Sequence, residues 1–445
     1  MNVLRERSRV WCALLLVGAV VAGSCGGGGG EPRVASLDPA ASTGESDSST
    51  LVASDVLVYE DDSGSGVSSR ATAATGSLAS TAAAATSATA AGPTLPPVSA
   101  RVVASSCDAV EAVKTWPIAR QAAQLVMPGV PSASLGRAAE IVAELGLGGI
   151  LVLDGNNANL AAGIAAVKAA TDPAPFVAVD EEGGRVQRLK ALTGRLPSAR
   201  DMAGANSAEQ VRAIAVEHGK KMAALGFTMD MAPVLDLNSG SASGPIGDRA
   251  FSADPAIAAQ YGRAFADGLW ESGVVPVLKH FPGIGSLGAD THVELPVGPD
   301  VATLRSRDLE AFRLATQSYP GAVMVAHVVI PDLTGELPAS TSYRAITELL
   351  RGEFGFSGLI ISDSLSMGAI TTRWEIPQAA EHALAAGSDV ALIASAGADL
   401  QTARATVNRI VDAVVAGRIP ADALATSVAR VLITKGLDPC VAVAP

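Results

Sequence analysis

Two short segments of the sequence carry side chains that could attack a substrate or move a proton. Asp363 follows the apolar run Leu359–Ile361, and a carboxylate at that position could act as a nucleophile or cap the following helix. Asp290 and His292 form an Asp-x-His pair on a segment that contains glycine. An imidazole titrates near neutral pH, so it can donate and accept a proton, and a carboxylate on its second nitrogen fixes the tautomer. A histidine on a surface loop beside a helix cap is the alternative interpretation of His292.

The elements that must position these side chains are short apolar runs separated by amphipathic segments of helical periodicity. The candidate strands are Gln124–Pro128, Leu147–Leu153, Pro175–Asp180, Phe227–Asp236, Val274–Phe281, Ala322–Val329, Gly358–Asp363 and Asp389–Ala394. The candidate helices are Asn159–Ala170, Ala208–Leu225, Pro255–Ser272, Leu304–Gln317, Tyr343–Glu353, 399–416 and 420–434. Ser207 and Gln210 could form a capping box for the second of these helices.

Apolar strands that alternate with helices indicate parallel βαβ units, because such strands are buried on both faces. Eight units predict an α/β fold, a (β/α)8 TIM-like barrel forming a single catalytic domain. A doubly wound sheet is the alternative, but no glycine-rich phosphate loop follows the first strand. Polar residues stand at the carboxyl ends of several strands, where such barrels place their chemistry; they are Asp180, Asp236, Lys279, His280, His327 and Asp363.

The first 24 residues have the pattern of a bacterial lipoprotein signal peptide. Three arginines precede the apolar run Val10–Ala22, and small residues lead directly to Cys25. Cys25 would therefore carry lipid; an ordinary signal peptide with an incidental cysteine is the alternative. No other apolar stretch is long enough to span a bilayer, which predicts an extracytoplasmic protein anchored to the cell membrane of a bacterial envelope.

Residues 25–106 form the lipidated N-terminus and a linker rich in Ser, Thr, Ala, Gly and Pro. Such a composition buries too little apolar surface to offset the entropy of ordering, so this linker is expected to be disordered. The barrel would then occupy residues 107–445. Cys107 and Cys440 lie at its two ends and would face an oxidising compartment, which predicts a disulfide between them, with two free thiols as the alternative.

The segment Lys279–Gly285, followed by the Asp-x-His pair, resembles the signature of glycoside hydrolase family 3. Further segments agree with that family in order and spacing; they are Val179–Arg188, Ala232–Leu237, Ile246–Phe251 and Ile361–Met367. The resemblance covers essentially the whole predicted barrel. It implies a retaining glycosidase in which Asp363 forms a glycosyl-enzyme.

The resemblance also implies where the proton donor lies. Many two-domain members of the family take a Glu from a second domain, whereas the single-domain N-acetylglucosaminidases use an Asp-x-His pair. The residues after Asp363 must supply the last strands and helices, so we expect the single-domain arrangement, with His292 and Asp290 as the acid/base dyad. The implied enzyme is a β-N-acetylhexosaminidase that releases terminal non-reducing β-N-acetylglucosamine from peptidoglycan fragments.

Substrate contacts follow from the same resemblance. The residues expected to bond the sugar hydroxyls and the N-acetyl group are Asp180, Arg188, Arg249, Lys279 and His280. Each could instead form an ion pair at the barrel rim, for instance Asp248 with Arg249. Asp236 and His327 are expected to support the rim as much as to contact substrate. His218 and His382 lie within helical patterns and should be structural or exposed.

The sequence departs from the family pattern in the loop of the proton donor. Ile284 stands where a His is common, and Ser286-Leu287 replace Asp-Thr, which leaves loop closure and leaving-group preference open. A His donor brings less negative charge than a Glu, so a phosphorylase is an alternative, as is a β-glucosidase of the same family. A non-catalytic sugar-binding lipoprotein has less support, because binding alone needs no nucleophile and acid.

Amino-acid composition and the spacing of possible ligand residues limit the kinds of molecule that this protein is expected to bind. The net charge of −12 argues against nucleic acid. No metal-ligand spacing and no nucleotide motif are evident, so neither a metal nor a cofactor is expected. The expected partners are a carbohydrate substrate and, through the lipid anchor, the membrane; the protein is expected to be a monomer.

Overall fold

The computed structural model describes residues 107–238, 240–287, 291–394 and 400–442. The proposed signal peptide, Cys25, the linker and Asp290 lie outside these residues. The strands are β1 Val126–Val130, β2 Gly149–Val152, β3 Phe176–Val179, β4 Glu181–Gly183, β5 Val186–Gln187, β6 Met229–Asp230, β7 Val275–Phe281, β8 Ala322–Val325, β9 Leu359–Ser362 and β10 Ala391–Ile393.

Helices connect these strands. They are α1 Ala109–Lys114, α2 Ile118–Gln124, α3 Leu135–Leu145, α4 Leu160–Ala169, α5 Lys190–Thr193, α6 Ala199–Ala205, α7 Ala208–Ala224, α8 Pro255–Glu271, α9 Val301–Arg305, α10 Asp308–Ala315, α11 Pro331–Thr334, α12 Gly368–Thr371, α13 Ile376–Ala385, α14 Leu400–Val415, α15 Ala421–Thr434 and α16 Pro439–Ala442. A π-helix covers Arg344–Glu353, and single 3₁₀ turns cover Ser132–Ser134, Gly247–Arg249 and Ala339–Thr341. Among the described residues, no helix has both the length and the apolar character needed to cross a bilayer.

Eight parallel strands form the central sheet in the order β10-β1-β2-β3-β6-β7-β8-β9. A further parallel bridge between Ile361 and Val390 joins β9 to the segment that enters β10, so the two ends of the sheet meet. Strands that neighbour one another in the ring also follow one another along the chain, and helices link them. This is the predicted (β/α)8 barrel. Strands β4 and β5 form a small antiparallel hairpin inserted after β3.

Burial explains why the barrel strands read as apolar runs rather than as alternating patterns. Every residue of the eight barrel strands is buried, since helices cover the outer face and the strands themselves fill the interior. Four phenylalanines are among the largest fully buried side chains; they are Phe227, Phe265, Phe281 and Phe312. This core gives the carboxyl ends of the strands a rigid base.

Several predicted elements differ in extent from those observed: the predicted strand Gln124–Pro128 begins within α2, and Ala322–Val329 is a strand only over β8. Two further differences have a local cause. The predicted strand Phe227–Asp236 pairs regularly only over β6, because Pro233 has no N–H to donate to a ladder. The predicted helix Leu304–Gln317 is divided into α9 and α10 at Arg307, whose φ of −136° and ψ of −91° are not helical. The division leaves Asp308 buried at the start of α10. The capping box of α7 is present as predicted, with Ser207 and Gln210 in both roles.

The two ends of the described domain are joined covalently. Cys107, just before α1, forms a disulfide with Cys440 in α16, and their Cα atoms are 6.1 Å apart. The bond spans a sequence separation of 333 residues. This is the pairing that the sequence analysis favoured, and it holds α1 and α16 together beneath α15.

Candidate active site

A cavity of about 300 Å³ opens at the carboxyl ends of the barrel strands. It collects all seven of the predicted catalytic and substrate-binding residues that the structure describes; they are Asp180, Arg188, Arg249, Lys279, His280, His292 and Asp363. Apolar side chains complete its wall, among them Met231, Met324, Met367 and Leu392. The cavity therefore combines charged groups that can bond hydroxyls with apolar surface that can lie against a sugar ring.

Asp363 enters the cavity directly from the end of β9. Its backbone N–H donates to the Val325 carbonyl at 2.8 Å, and one of its carboxylate oxygens accepts the Ser364 N–H at 2.7 Å. Burial alone would raise the pKa of Asp363, but the imidazoles of His327 and His280 and the Ser364 N–H lower that pKa further, to below its usual value. The side chain is therefore a carboxylate at neutral pH, the form that a nucleophile requires.

His327 supports the segment behind Asp363 and does not line the cavity. Its Nε2 lies 2.9 Å from the Ser364 carbonyl oxygen, and its Nδ1 lies 2.7 Å from the Ser340 hydroxyl. A carbonyl only accepts, so Nε2 carries the proton and Nδ1 accepts from Ser340. Burial lowers the pKa of His327, although the nearby Asp363 carboxylate opposes this effect. Its role is that of a support, one of the two roles considered for it from the sequence.

His292 reaches the cavity from the segment that follows β7. His292 is exposed, whereas His280 and His327 are buried, and it lines the same cavity as Asp363. His292 is therefore accessible both to solvent and to a molecule bound in the cavity. Its proposed partner Asp290 lies outside the described residues.

A chain of ion pairs crosses the floor of the cavity. The Lys279 ammonium lies 2.6 Å from Asp180 Oδ1 and 2.5 Å from Glu182 Oε1. The Arg249 guanidinium donates twice to Glu182, from Nε and from Nη2, both at 2.7 Å. At the other end Arg188 approaches Asp180 at 3.9 Å. The chain fixes two cations and a carboxylate so that their remaining donor and acceptor sites face the cavity.

This chain also sets the charge states of its members. Burial would lower the pKa of Lys279, but the carboxylates of Asp180 and Glu182 raise it above its usual value. Burial would raise the pKa of Glu182, but Arg249 and Lys279 hold it well below its usual range. Lys279 and Glu182 therefore stay charged at neutral pH despite their burial.

Comparison with known proteins identifies the family to which this arrangement belongs. Residues 118–434 match the model of the glycosyl hydrolase family 3 N terminal domain. The chain belongs to glycosyl hydrolase family 3. It is therefore a glycoside hydrolase, and the resemblance read from its motifs is confirmed.

Relatives of this family 3 chain carry a more specific name. It is 39% identical over 325 residues to the β-hexosaminidase LpqI of Mycobacterium tuberculosis, covering 71% of this chain and 82% of that protein. A solved glycosyl hydrolase of the GH3 family from Mycobacterium smegmatis is 37% identical, with a TM-score of 0.68 over 74% of this chain and 99% of that one. A β-N-acetylhexosaminidase from Beutenbergia cavernae is 29% identical, with a TM-score of 0.66 over 73% of this chain and all of that one, 100%.

Glu182 is a site residue that the sequence analysis did not single out. It lies two positions after Asp180, and alternate residues of an extended segment share a face, so both carboxylates reach Lys279. Glu181, between them, points the opposite way and is completely buried. It accepts the Leu189 N–H at 2.8 Å and lies 3.1 Å from His218 Nε2. The alternation of side-chain direction along this extended segment was the sequence feature that could have identified Glu182 as a site residue.

Asp236 acts on the site through His280. The His280 Nδ1 lies 2.6 Å from Asp236 Oδ2, while Asp236 Oδ1 accepts the Ile284 N–H at 2.8 Å. A carboxylate accepts only, so Nδ1 carries the proton and Nε2 of His280 is left to face the cavity. Asp236 thus orients His280 and holds the start of the segment that leads to His292.

The described residues also show what is absent from the family 3 site. Within them, no group of three or more His, Cys, Asp or Glu side chains is placed to hold a metal ion. His218 is buried against Glu181, and His382 lies over Trp374 with ring centroids 5.0 Å apart, so neither belongs to the cavity.

Proposed function

We propose that this family 3 chain is a retaining β-N-acetylhexosaminidase that removes terminal non-reducing β-N-acetylglucosamine, with peptidoglycan fragments as its substrate. The observation that carries the proposal is a single cavity walled by both Asp363 and His292. A retaining glycosidase needs a carboxylate on one face of the anomeric carbon and a proton donor on the other. The names of the relatives support N-acetylhexosamine as the sugar.

The reaction follows from these two groups. A carboxylate oxygen of Asp363 attacks the anomeric carbon while the His292 imidazolium gives its proton to the leaving oxygen, and the bond from that carbon to the leaving oxygen breaks. In the second step the neutral imidazole takes a proton from water. The resulting nucleophile attacks the anomeric carbon, the glycosyl-enzyme bond breaks, and the carboxylate of Asp363 is restored. Asp290 would accept a hydrogen bond from the second ring nitrogen and fix the tautomer.

The remaining cavity residues would orient the sugar. Charged donors and acceptors make directional bonds to hydroxyls. The ion pairs of Lys279 with Asp180, and of Glu182 with Lys279 and Arg249, leave part of that capacity unused. Arg188 is held less tightly, 3.9 Å from Asp180, so it can move towards a bound ligand. His280 presents Nε2, because Asp236 occupies its other nitrogen.

We further propose that the protein is exported and anchored to the cell membrane of a bacterial envelope by lipid on Cys25, and that it works there as a monomer. The signal-like pattern of residues 1–24 and the composition of residues 25–106 support this location. The disulfide between Cys107 and Cys440 agrees with it, since disulfides persist in oxidising compartments outside the cytoplasm.

The test is turnover of nitrophenyl and alkyl N-acetyl-β-glucosaminides by the wild type, Asp363→Ala and His292→Ala. Asp363→Ala should abolish hydrolysis, and added azide should restore cleavage with formation of the glycosyl azide of opposite anomeric configuration. In His292→Ala, kcat/KM should fall about 10²- to 10⁴-fold on the alkyl glycoside but much less on the nitrophenyl glycoside, whose leaving group needs little protonation in the first step. The exposed Asp412→Ala serves as the control and should match the wild type.

Other outcomes separate the alternatives. Hydrolysis by Asp363→Ala at the wild-type rate would reject the nucleophile. Faster turnover of nitrophenyl glucoside than of its N-acetylamino analogue would indicate a β-glucosidase, and release of sugar-1-phosphate in phosphate buffer would indicate a phosphorylase. Binding of N-acetylglucosamine without turnover of any of these glycosides would indicate a sugar-binding lipoprotein.

A further inference from the structure

The segment that carries His292 is held at described positions on both sides. Before it, the Asn238 side-chain amide donates to the Gly285 carbonyl at 2.8 Å. After it, the Gly298 N–H donates to the Val329 carbonyl at 2.8 Å, beyond the end of β8. His292 lies several residues from either attachment, so neither of them fixes the position of its backbone. A contact nearer to His292 is needed for that.

That contact is the first turn of α12. The Gly368 N–H donates to the His292 carbonyl at 3.0 Å, and the Ala369 N–H donates to the Thr291 carbonyl at 3.3 Å. Helix α12 begins shortly after Asp363 on the same connecting segment. The backbone of the proposed proton donor therefore rests directly on the segment that leaves the proposed nucleophile.

Position 368 admits this approach because it is glycine. A Cβ atom there would lie 2.6 Å from the carbonyl oxygens of both His292 and Val293, whereas ordinary contact begins at 3.4 Å. The conformation of Gly368 is itself helical and not left-handed, so its own backbone would accept alanine. The steric limit at this position comes from the His292 segment.

We propose that Gly368 is the positioning residue for the proton donor: by lacking a side chain and donating its N–H, it sets the position of His292 relative to Asp363. The inference rests on the proposed function, because it assumes that His292 protonates the leaving oxygen. A displacement of a catalytic group by a fraction of an ångström to 1 Å lowers the rate, by up to about 10²-fold. The loss should fall on the protonation step and spare the attack by Asp363.

The experiment compares Gly368→Ala with the wild type across aryl and alkyl N-acetyl-β-glucosaminides whose leaving groups differ in pKa. The constant to compare is kcat/KM, which reports the first step alone, because His292 is also the base of the second step. For Gly368→Ala it should be close to the wild-type value on the nitrophenyl glycoside and about 10-fold or more lower on the alkyl glycoside. This constant should thus depend more steeply on the leaving-group pKa. Gly368→Pro also removes the N–H, at a position where a helix tolerates proline, and should show a larger loss of the same kind.

Gly136→Ala is the matched control, since Gly136 lies in the first turn of α3 and nothing lies within 4 Å of an added Cβ atom. The rate of Gly136→Ala should depend on the leaving-group pKa as the wild-type rate does. If kcat/KM of Gly368→Ala depends on the leaving-group pKa as it does in the wild type, or falls equally on every substrate, the inference is overturned. His292→Ala distinguishes failure of this inference from failure of the proposed function. If His292→Ala depends on the leaving-group pKa as the wild type does, His292 is not the proton donor. If His292→Ala shows a steeper dependence while Gly368→Ala behaves like the wild type, only the role of Gly368 is rejected.

Discussion

The charged side chains of the cavity form ion pairs that fix their positions and keep Lys279 and Glu182 ionised. Glu182 is bonded on one side by Lys279 and on the other by Arg249, and both it and Lys279 are buried. Removing one member of such a set leaves an uncompensated buried charge, which costs about 3–5 kcal/mol. These residues would therefore tie the proposed substrate binding to the stability of the barrel rim.

Asp308 illustrates the opposite case, a buried acid without such compensation. Its Oδ1 is buried and has no hydrogen-bond partner in the part of the chain that is described, and its side chain lies against Gly283. Burial and the Asp236 carboxylate raise the pKa of Asp308 from 3.8 to about 6. The folded state thus binds a proton that the unfolded state releases.

This difference predicts how stability depends on pH. Between pH 4 and pH 6 the folded protein binds more protons at Asp308 than the unfolded chain, so this residue makes stability fall as pH rises. Asp308→Asn cannot ionise, so its stability relative to the wild type should increase by about 2–3 kcal/mol from pH 4 to pH 7. Urea unfolding of both proteins at the two pH values measures this change. The exposed Asp412→Asn should show no such trend, and a parallel pH dependence of Asp308→Asn and wild type would contradict the prediction.

At the scale of elements, the loops at the carboxyl ends of the strands are held by side chains outside the cavity. Arg185 lies on the hairpin of β4 and β5, and its guanidinium donates to four carbonyls of the loop after β6. The accepting residues are Ala242 at 3.3 Å, Gly244 at 2.7 Å, Pro245 at 3.0 Å and Ile246 at 3.0 Å. Pro245, Ile246 and Arg249 of that loop line the cavity, so Arg185 positions part of its wall.

Arg185→Ala should therefore weaken binding more than chemistry. Four carbonyls lose their donor and the loop loses its defined position, so KM should rise by about 10-fold, equivalent to about 1.4 kcal/mol, while kcat falls much less. Steady-state kinetics on the nitrophenyl N-acetylglucosaminide measure both constants. Arg195→Ala, an exposed arginine nearby in sequence, is the control. A fall in kcat at constant KM would show that Arg185 does not act through the binding wall.

At the scale of the whole molecule, the disulfide closes the described domain on itself. It joins residues separated by 333 positions, so it restricts nearly the whole unfolded barrel. The two helices it connects are short, α1 with 6 residues and α16 with 4, and short helices have little stability of their own. The covalent bond thus keeps α16 against α1.

Loss of this bond should destabilise the protein by about 2–4 kcal/mol. Cys107→Ser, Cys440→Ser and the double variant should show the same loss, because each removes the same single bond. Thermal unfolding with and without reductant measures it, and reductant should lower the Tm of the wild type to that of the variants. A double variant much less stable than either single variant would show that the two sulfurs contribute independently of the bond.

The sequence by itself determined the barrel and most of its site. Apolar runs that alternate with amphipathic helices have few packing solutions, so eight of them specify a (β/α)8 barrel, and that fold brings polar strand ends such as Asp180, Lys279 and Asp363 together. The ordered motifs identified the family, and most of them lie at strand ends. The disulfide followed from the closure of the ring, which makes the first and last elements neighbours.

Only the tertiary structure decided which side chains touch. The direction of Glu182 and Glu181 depends on one residue of register, and the bonding of Glu182 to Arg249 joins positions 67 residues apart. The break at Arg307 and the burial of Asp308 arise from packing against Gly283, which local periodicity does not encode. The contact of Gly368 with the His292 backbone joins two loops through main-chain atoms alone, and main-chain contacts between distant segments leave no pattern in side-chain types.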